Sequence, residues 1–248
     1  MEARHQYDLT ILPSVCDMEM KLSIADTFAL FMDIATVHAD LLGVGAEDMM
    51  GRGLFWLTVK TKVHFLRRPR MMERVTLSTR PLAPEKIRSI REYRLTKGEE
   101  LLAQGKTEWT VIETATGKIH PMADVFAREL ELGKTPEYTA PFCRVAPDFS
   151  AAECLGTYRV RSTDIDLGGH MNNVAYLRAL LGMLSSRELK AFPQSEVEIA
   201  FRSPCFEGET LQIFRRPVEI PHREVGVDLA ALKSDGTPAV LLRAREQL

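Results

Sequence analysis

The sequence predicts an α+β protein in which one unit, a long buried helix followed by an antiparallel sheet, occurs twice. Residues 22–42 are so rich in apolar side chains that most faces of a helix would be apolar. Residues 55–66 then alternate apolar side chains with Thr, Lys and His, as in a half-buried strand. Finally, residues 63–69 resemble residues 198–204, which indicates a duplicated unit shifted by 135 residues (204 minus 69).

Composition limits the classes of protein that fit this chain. Its 248 residues suit one large domain or two smaller ones, and 45% hydrophobic with 27% charged residues exclude a disordered or fibrous protein. The net charge of −2 excludes a global basic field that would recruit nucleic acid or an anionic membrane. A charged partner must therefore be met by a local patch.

The predicted elements follow one another in a simple order. After the first helix, turn residues such as those at 97–99 separate strands predicted at 55–66, 74–80, 87–96 and 101–113. A second helix is expected at 172–189. Residues 121–155 hold four prolines, which favours a linker with a short helix at 124–132. We therefore expect an amino-terminal domain at 1–120 and a carboxyl-terminal domain at 156–248.

The sequence lacks the usual motifs for disulfides, metals, nucleotides and membrane insertion. The four cysteines form no C-x-x-C pair, which favours reduced thiols, and no paired spacing typical of metal ligands is present. No phosphate-binding or dinucleotide-binding loop is found, so we expect no metal, no cofactor and no nucleic-acid partner. The first residues lack the apolar stretch of a signal peptide, and charges interrupt the most apolar helix. We expect no membrane span and a cytoplasmic location.

The most informative segment is 163–176, which places Asp164, Asp166, two glycines, His170 and two asparagines directly before an apolar helix. Backbone N–H groups at such a helix entry can face a developing oxyanion, and the preceding loop supplies a carboxylate. Asp, Gly and Asn are also common capping and turn residues. From the residues alone, the catalytic and the purely structural interpretations have equal support.

A family resemblance favours the catalytic interpretation. The pattern D-x-D-x-x-G-H-x-N-N-x-x-Y, from Asp164 to Tyr176, resembles the helix entry of hotdog-fold thioesterases. The two-copy length, with Phe55-Trp56 and Arg67-Arg68-Pro69, resembles the acyl-acyl-carrier-protein thioesterases of bacteria and plant plastids. The resemblance implies two tandem hotdog domains, each a long helix wrapped by an antiparallel β-sheet. It assigns catalysis to the second domain and the acyl channel to the first.

The resemblance also assigns residues. The family's catalytic Asp and His fall on Asp166 and His170, whereas its Asn two residues before the His falls on Gly168. Its acid and Cys in the following strand fall on Pro204 and Cys205, so the Cys is kept and the acid is not. With the helix-entry asparagine included, the predicted catalytic residues are Asp166, His170, Asn172 and Cys205.

The implied chemistry is hydrolysis of an acyl-acyl-carrier-protein thioester in fatty acid biosynthesis, which releases a free fatty acid without a cofactor. Asp166 deprotonates water or attacks directly, His170 positions the reacting groups, and N–H groups near Asn172 polarise the thioester carbonyl. Two alternatives stay open. One is an acyl-CoA thioesterase of the same fold, and the other is an acyl-binding hotdog protein without catalysis.

Two further sets of residues complete the prediction. The first repeat lacks the Asp–His motif, so its helix and neighbouring strand are expected to line the acyl channel with Phe28, Phe31, Ile34, Ala35 and Trp56. A dense basic cluster could dock an acidic acyl carrier protein through Arg67, Arg68 and Arg70. A solvated strand edge explains the same charges equally well. Homodimerisation is left open.

Overall fold

The computed structural model describes residues 4–127, 130–220 and 224–247. Its packing divides the chain into two units, Met1–Ala140 and Pro141–Leu248. In each unit a helix lies against an antiparallel sheet, so the predicted α+β class is confirmed. Within the described residues, no helix is both long and apolar enough to cross a membrane.

The first unit contains two helices and one antiparallel sheet. Its sheet order is β1-β3-β4-β5-β2, with the short β6 paired to β5. The elements are β1 (His5–Thr10), α1 (Ile24–Leu41), α2 (Ala46–Gly51), β2 (Leu54–Phe65), β3 (Arg74–Pro81), β4 (Ser89–Lys97), β5 (Glu100–Glu113) and β6 (Ile119–His120).

Helix α1 is buried on one side only, which differs from the enclosed helix that the sequence predicted. The side facing the sheet is fully covered, whereas Val37 and Leu41 are exposed on the other. The helix also begins later than its apolar stretch, because the Ser23 hydroxyl accepts the Asp26 N–H as an N-cap. Apolar density therefore located the helix but overestimated its burial.

The second unit repeats this layout with sheet order β8-β11-β10-β9-β7. The elements are β7 (Glu153–Arg159), α3 (Asn173–Leu181), α4 (Ser186–Lys190), β8 (Glu196–Phe201), β9 (Thr210–Ile220), β10 (Glu224–Leu232) and β11 (Pro238–Gln247).

Two predicted helices are corrected here. The helix expected at 172–189 is two helices, because α3 ends before Gly182 and Ser185 opens α4 with a capping box to Glu188. The short helix expected at 124–132 is reduced to a 3₁₀ turn, Met122–Asp124, and residues 128 and 129 lie outside the described residues.

An ion pair with a buried carboxylate recurs on the outer face of both sheets, the face away from the helix. Arg80 pairs with Glu92 opposite it on β4, and Arg216 pairs with Asp228 opposite it on β10, a shift of 136 residues in both cases (216 minus 80, 228 minus 92). Arg80 also donates to the Thr135 carbonyl (2.7 Å). The duplicated pair thus secures the outer surface of each unit.

The same pattern extends to the segment that follows the first sheet. Arg216 donates to the carbonyls of Asp148 (2.6 Å) and Ala146 (3.3 Å), as Arg80 does to that of Thr135. The Glu92 carboxylate accepts the N–H groups of Glu137 and Tyr138. In this proline-rich stretch Gly133 bridges to Leu82, and side chains of the sheets hold the residues that follow.

We predict that Asp228→Asn destabilises the protein by about 3 kcal/mol, because the fully buried Asp228 carboxylate neutralises two guanidinium groups, those of Arg216 and Arg243. Urea unfolding of both proteins measures the change. Asp235→Asn, in an exposed turn, is the matched control and should change the free energy of unfolding by less than about 1 kcal/mol. Equal losses in the two variants would contradict a special role for the buried pair.

Candidate active site

The candidate active site is a tight turn immediately before α3. Ile165 and Met171 form an antiparallel bridge, and the turn between them is closed by two hydrogen bonds. The Asp166 N–H donates to the His170 carbonyl (3.0 Å), and the Gly169 N–H donates to the Asp166 carbonyl (3.0 Å). Gly169 adopts φ +74°, which glycine reaches without strain. The turn therefore fixes Asp166 and His170 next to each other.

The Asp166 carboxylate is held through one of its oxygens. Oδ1 accepts the Gly168 N–H (2.8 Å) and lies 3.7 Å from His170 Nδ1. Both side chains are about a quarter exposed, at 25% and 26%. Oδ2 has no hydrogen bond among the described residues, so this oxygen can meet water or a substrate carbonyl.

Backbone and side-chain hydrogen bonds anchor the turn to its surroundings. The Met171 N–H donates to the Cys205 carbonyl (2.7 Å), and the Asn172 N–H donates to the Asp164 carbonyl (2.8 Å). The Asp164 carboxylate accepts the Tyr158 hydroxyl (2.8 Å), so the first acid of the motif is structural. Asp166 remains the acid that can take part in the reaction.

Asn172 is the N-cap of α3. Its side-chain oxygen accepts the Val174 N–H (2.8 Å). The sequence analysis predicted that N–H groups at this helix entry polarise the thioester carbonyl, and one of them is therefore already bonded. The structure thus gives Asn172 a clear role in starting the helix. Its catalytic role stays a prediction.

Cys205 contributes to the site through its backbone. The side chain is buried, and burial raises the pKa of the thiol, which keeps it protonated. Its N–H donates to the Tyr176 hydroxyl (2.9 Å), and its carbonyl accepts the Met171 N–H. The catalytic role predicted for the Cys205 thiol therefore has no support from its surroundings.

Tyr176 is the residue that sequence reasoning missed. It lies buried on α3, and its hydroxyl connects the helix to the loop after β8 through Cys205 and, at 3.5 Å, the Ser203 carbonyl. Burial and the contact with Cys205 raise its pKa, so it remains a neutral phenol. The sequence did offer a signal for this residue. Tyr176 ends the motif and lies one helical turn after Asn172, so its side chain lies near the helix entry.

The turn before α1 repeats this backbone arrangement 149 residues earlier (166 minus 17). The Asp17 N–H donates to the Lys21 carbonyl (2.8 Å), and the Met20 N–H donates to the Asp17 carbonyl (3.0 Å). The Glu19 N–H donates to the Asp17 carboxylate (2.9 Å), as Gly168 does to Asp166. The first repeat therefore keeps the aspartate of the turn but has Lys21 in place of the His, so it lacks the Asp–His pair, as the sequence predicted.

Arg68 distinguishes the first turn from the second. Its guanidinium is buried, with 5% of the side chain exposed, and it forms an ion pair with Asp17 while donating to the Leu22 carbonyl (3.0 Å). Burial alone would raise the pKa of Asp17, but the Arg68 contact and the N–H groups of Glu19 and Lys21 lower it below its usual value. The backbone hydrogen bonds from Leu22 to Pro69 and from Met171 to Cys205 are equivalent, which shifts the sequence match by one residue and places Pro204 at the position of Arg68. Among the described residues, Asp166 therefore has no such buried arginine.

The predicted docking arginines prove to be unequal. Arg67 is bound to Glu73 (2.8 Å) and Glu100 (2.6 Å), and Arg68 is buried. Arg70 is exposed, and its guanidinium has no partner within the described part of the chain. The burial of Arg68 counts against its predicted docking role, whereas that of Arg67 stays a prediction. Of the three, Arg70 has the guanidinium without a partner in the described part of the chain.

The predicted channel residues lie in two places in the first unit. Phe28, Phe31, Ile34 and Ala35 are buried on the sheet-facing side of α1. Trp56, on β2, is half-buried and donates from Nε1 to the Val44 carbonyl (3.0 Å), within a cluster that includes Phe126. Their role as channel walls stays a prediction.

Two family models match most of the chain. The model described as the acyl-ACP thioesterase N-terminal domain matches residues 2–130, and the one described as the acyl-ACP thioesterase C-terminal domain matches residues 150–237. The Asp166 turn lies within the second match, and the Asp17 turn lies within the first.

Individual relatives are distant in sequence. The chain is 21% identical to an oleoyl-acyl carrier protein thioesterase of Coriandrum sativum over 236 residues, which is 88% of this chain. It spans 62% of that protein's length.

Solved structures agree with the predicted fold. An acyl-ACP thioesterase from Bacteroides thetaiotaomicron matches with TM-score 0.82 at 16% identity, covering 98% of both chains. A 12:0-ACP thioesterase from Umbellularia californica matches with TM-score 0.81 at 15% identity, covering 98% of this chain and 93% of that one. The tandem hotdog fold is confirmed.

We predict that Arg68→Met destabilises the first unit by about 3 kcal/mol, because it leaves the Asp17 carboxylate without its cation. Since the folded state lowers the Asp17 pKa, the ion pair's contribution is present above the carboxyl's ordinary pKa and is lost as the pH falls through the lower, folded value. Urea unfolding between neutral and acid pH measures this. A double mutant with Asp17→Asn should recover part of the loss, and strictly additive losses would exclude coupling between the two residues.

Proposed function

The chain belongs to the acyl-ACP thioesterase family, and on that premise we propose that it hydrolyses acyl-acyl-carrier-protein thioesters and releases free fatty acids. The observation that carries this proposal is the Asp166 carboxylate, which is held through one oxygen beside His170 and has the other oxygen unengaged among the described residues. The equivalent carboxylate, Asp17, is neutralised by Arg68. We therefore assign catalysis to the second unit.

The proposed reaction needs one carboxylate. Asp166 takes a proton from a water molecule while the water oxygen forms a bond to the thioester carbonyl carbon. The tetrahedral intermediate then collapses, the carbon–sulfur bond breaks, and the sulfur leaves as a thiol after it takes up the proton. In the alternative route, Asp166 attacks the carbonyl directly and water opens the resulting anhydride. Both routes require the orientation that Gly168 and His170 impose on Asp166.

The other predicted site residues act around this carboxylate. We assign His170 to positioning Asp166 and the water, and Asn172 to holding the entry of α3. We assign Cys205 to fixing the turn through its backbone, because its carbonyl binds the Met171 N–H and its thiol is buried. The backbone role proposed for Cys205 replaces the catalytic role that the sequence predicted for it.

We predict that Asp166→Asn lowers kcat about a thousandfold while the fold persists, because the amide keeps the shape and loses the basicity. Release of the carrier-protein thiol from an acylated carrier protein measures the rate. The matched control is Asp17→Asn, which changes the equivalent turn of the other unit and should leave kcat within a factor of about two. Loss of activity in both variants, or in neither, would place the catalytic carboxylate elsewhere.

The same assay separates the alternatives from the proposal. Turnover of acyl-CoA with little turnover of acyl carrier protein would favour the CoA thioesterase. Binding of acyl groups without turnover of either thioester would favour the acyl-binding protein. The family match favours the carrier protein. The cytoplasmic location and a homodimer stay predictions.

A docking surface for the carrier protein is proposed around Arg70. Lys21 and Arg70 form a backbone bridge, and the Met71 N–H donates to the Met20 carbonyl (2.7 Å), so two loops of the first unit meet here. Met20 and Met72 beside them are 60% and 65% exposed, and both have positive φ. An exposed cation among flexible apolar side chains suits a small acidic partner with an apolar face.

We predict that Arg70→Glu raises KM for acylated carrier protein about fivefold or more and leaves hydrolysis of a small neutral thioester unchanged, because only the protein partner meets this charge. Arg187→Glu, an equally exposed arginine of the second unit, is the control. High salt should raise the wild-type KM in the same direction. An equal response of both substrates, or of both variants, would remove Arg70 from the docking surface.

A further inference from the structure

Polar side chains form a buried row on the helix-facing side of the first sheet. Thr61, Thr107 and Arg91 lie side by side across β2, β5 and β4, and Tyr93 follows on β4. All four are buried, with Arg91 at 6% exposure and Tyr93 at 1%. A channel for a plain hydrocarbon chain would need none of these groups.

The second unit shows that the fold does not require this row. There the corresponding positions, matched through the strand register, are Val197, Ala244 and Val227, and Leu229 stands in place of Tyr93. Val197, Ala244 and Leu229 are completely buried. An apolar row therefore builds the same sheet, and the polar one in the first unit needs a separate explanation.

Arg91 has no counter-charge among the described residues. Its guanidinium bonds to His38 Nδ1 (2.9 Å) and lies 3.4 Å from the Thr79 hydroxyl. Burial lowers the Arg91 pKa to about 10, so the group stays charged at neutral pH. Burial, the Arg91 charge and His5 lower the His38 pKa to about 4, so His38 is neutral there. The row thus carries one uncompensated positive charge.

Among the described residues, two buried hydrogen-bond donors near Arg91 lack a well-aligned acceptor, the Tyr93 hydroxyl and Trp109 Nε1. Burial raises the pKa of Tyr93, whereas the Arg91 charge and the polar hydrogens of Thr107 and Trp109, which approach the Tyr93 oxygen, lower it. Leaving such groups unpaired costs about 1–3 kcal/mol each, so a ligand oxygen placed between them would be favoured.

These donors lie among the predicted channel walls. The Tyr93 ring stacks on Phe31, with ring centroids 4.6 Å apart and an angle of 8° between the planes. The Trp109 ring meets Trp56 edge to face at 6.2 Å. Residues expected to contact the acyl chain are therefore in direct contact with both unpaired donors.

We propose that the first unit selects acyl chains that carry an oxygen acceptor, a hydroxyl or a carboxylate, which binds beside Tyr93, Trp109 and Arg91. This inference rests on the proposed function, since it names the class of acyl group that the enzyme hydrolyses. A carboxylate would also neutralise Arg91, whereas a hydroxyl would only pair the donors.

The experiment compares kcat/KM for three carrier-protein thioesters of equal chain length, one plain, one with a terminal hydroxyl and one with a terminal carboxylate. Wild type should prefer an oxygenated chain about tenfold or more, and Tyr93→Phe should reduce that preference about tenfold by removing a single hydrogen bond. Trp109→Phe should act in the same direction. Tyr7→Phe, which removes a half-buried hydroxyl from the edge strand β1, is the matched control and should change nothing.

Binding of the free acids separates this inference from the proposed function. If the oxygenated acid raises the melting temperature of wild type more than the plain acid does, and Tyr93→Phe abolishes the difference, the inference holds even if no thioester is hydrolysed. If wild type hydrolyses all three thioesters equally and Tyr93→Phe is unchanged or more stable, the donors hold an ordered water only, and the inference is overturned. A preference for the carboxylate that Arg91→Met removes would identify the acceptor as anionic.

Discussion

The tight turn before each long helix is the constraint on which the rest of the site depends. In both units the turn is closed by the same backbone hydrogen bonds and by an N–H that donates to an aspartate side chain, Asp17 or Asp166. These bonds involve only backbone groups and the aspartate side chain. The other residues of the turn can therefore differ between the two units without loss of the turn. In the first unit Arg68 forms an ion pair with Asp17. In the second unit Pro204 takes the place of that arginine, and among the described residues Asp166 has only His170 as a possible cation beside it.

The two faces of the sheets follow different rules. On the outer face, Arg80 with Glu92 and Arg216 with Asp228 occupy equivalent positions and make equivalent ion pairs, which indicates a requirement of the fold itself. On the inner face the units diverge, with Arg91 and Tyr93 in one and Val227 and Leu229 in the other. Since either composition supports the helix and sheet, the fold does not require the polar residues of the first unit. We propose that this difference between the inner faces reflects what each unit binds.

The sequence predicted those features that local patterns determine. Alternation located the strands, apolar density located α1, and the offset between residues 63–69 and 198–204 revealed the two units. The motif identified Asp166 and His170, which the structure does bring together. The break at Gly182 had a local signal, Ser185 three residues before Glu188, which the sequence analysis did not use. The burial of Arg68 and the backbone role of Cys205 were not predictable, because each depends on contacts between segments distant in sequence. Arg68 shows this best, since its neighbours Arg67 and Arg70 look identical to it in sequence and are exposed or half-exposed in the fold.

The two turns differ in whether a buried arginine lies beside the aspartate. On the proposed function, this difference explains why Asp166 acts in catalysis and Asp17 does not. The Asp17 carboxylate accepts the Glu19 N–H that closes its turn, and the buried Arg68 neutralises the charge of Asp17. Such an aspartate suits a purely structural site. An equivalent cation beside Asp166 would bind the oxygen that must accept a proton, so the same solution would abolish the basicity that hydrolysis requires. Asp166 instead has His170 at 3.7 Å and partial exposure to solvent, which stabilise its charge less and leave Oδ2 accessible. On the proposed function, the second unit therefore lacks the stabilisation that Arg68 provides in the first, and Pro204 in place of an arginine leaves the Asp166 carboxylate available for the reaction.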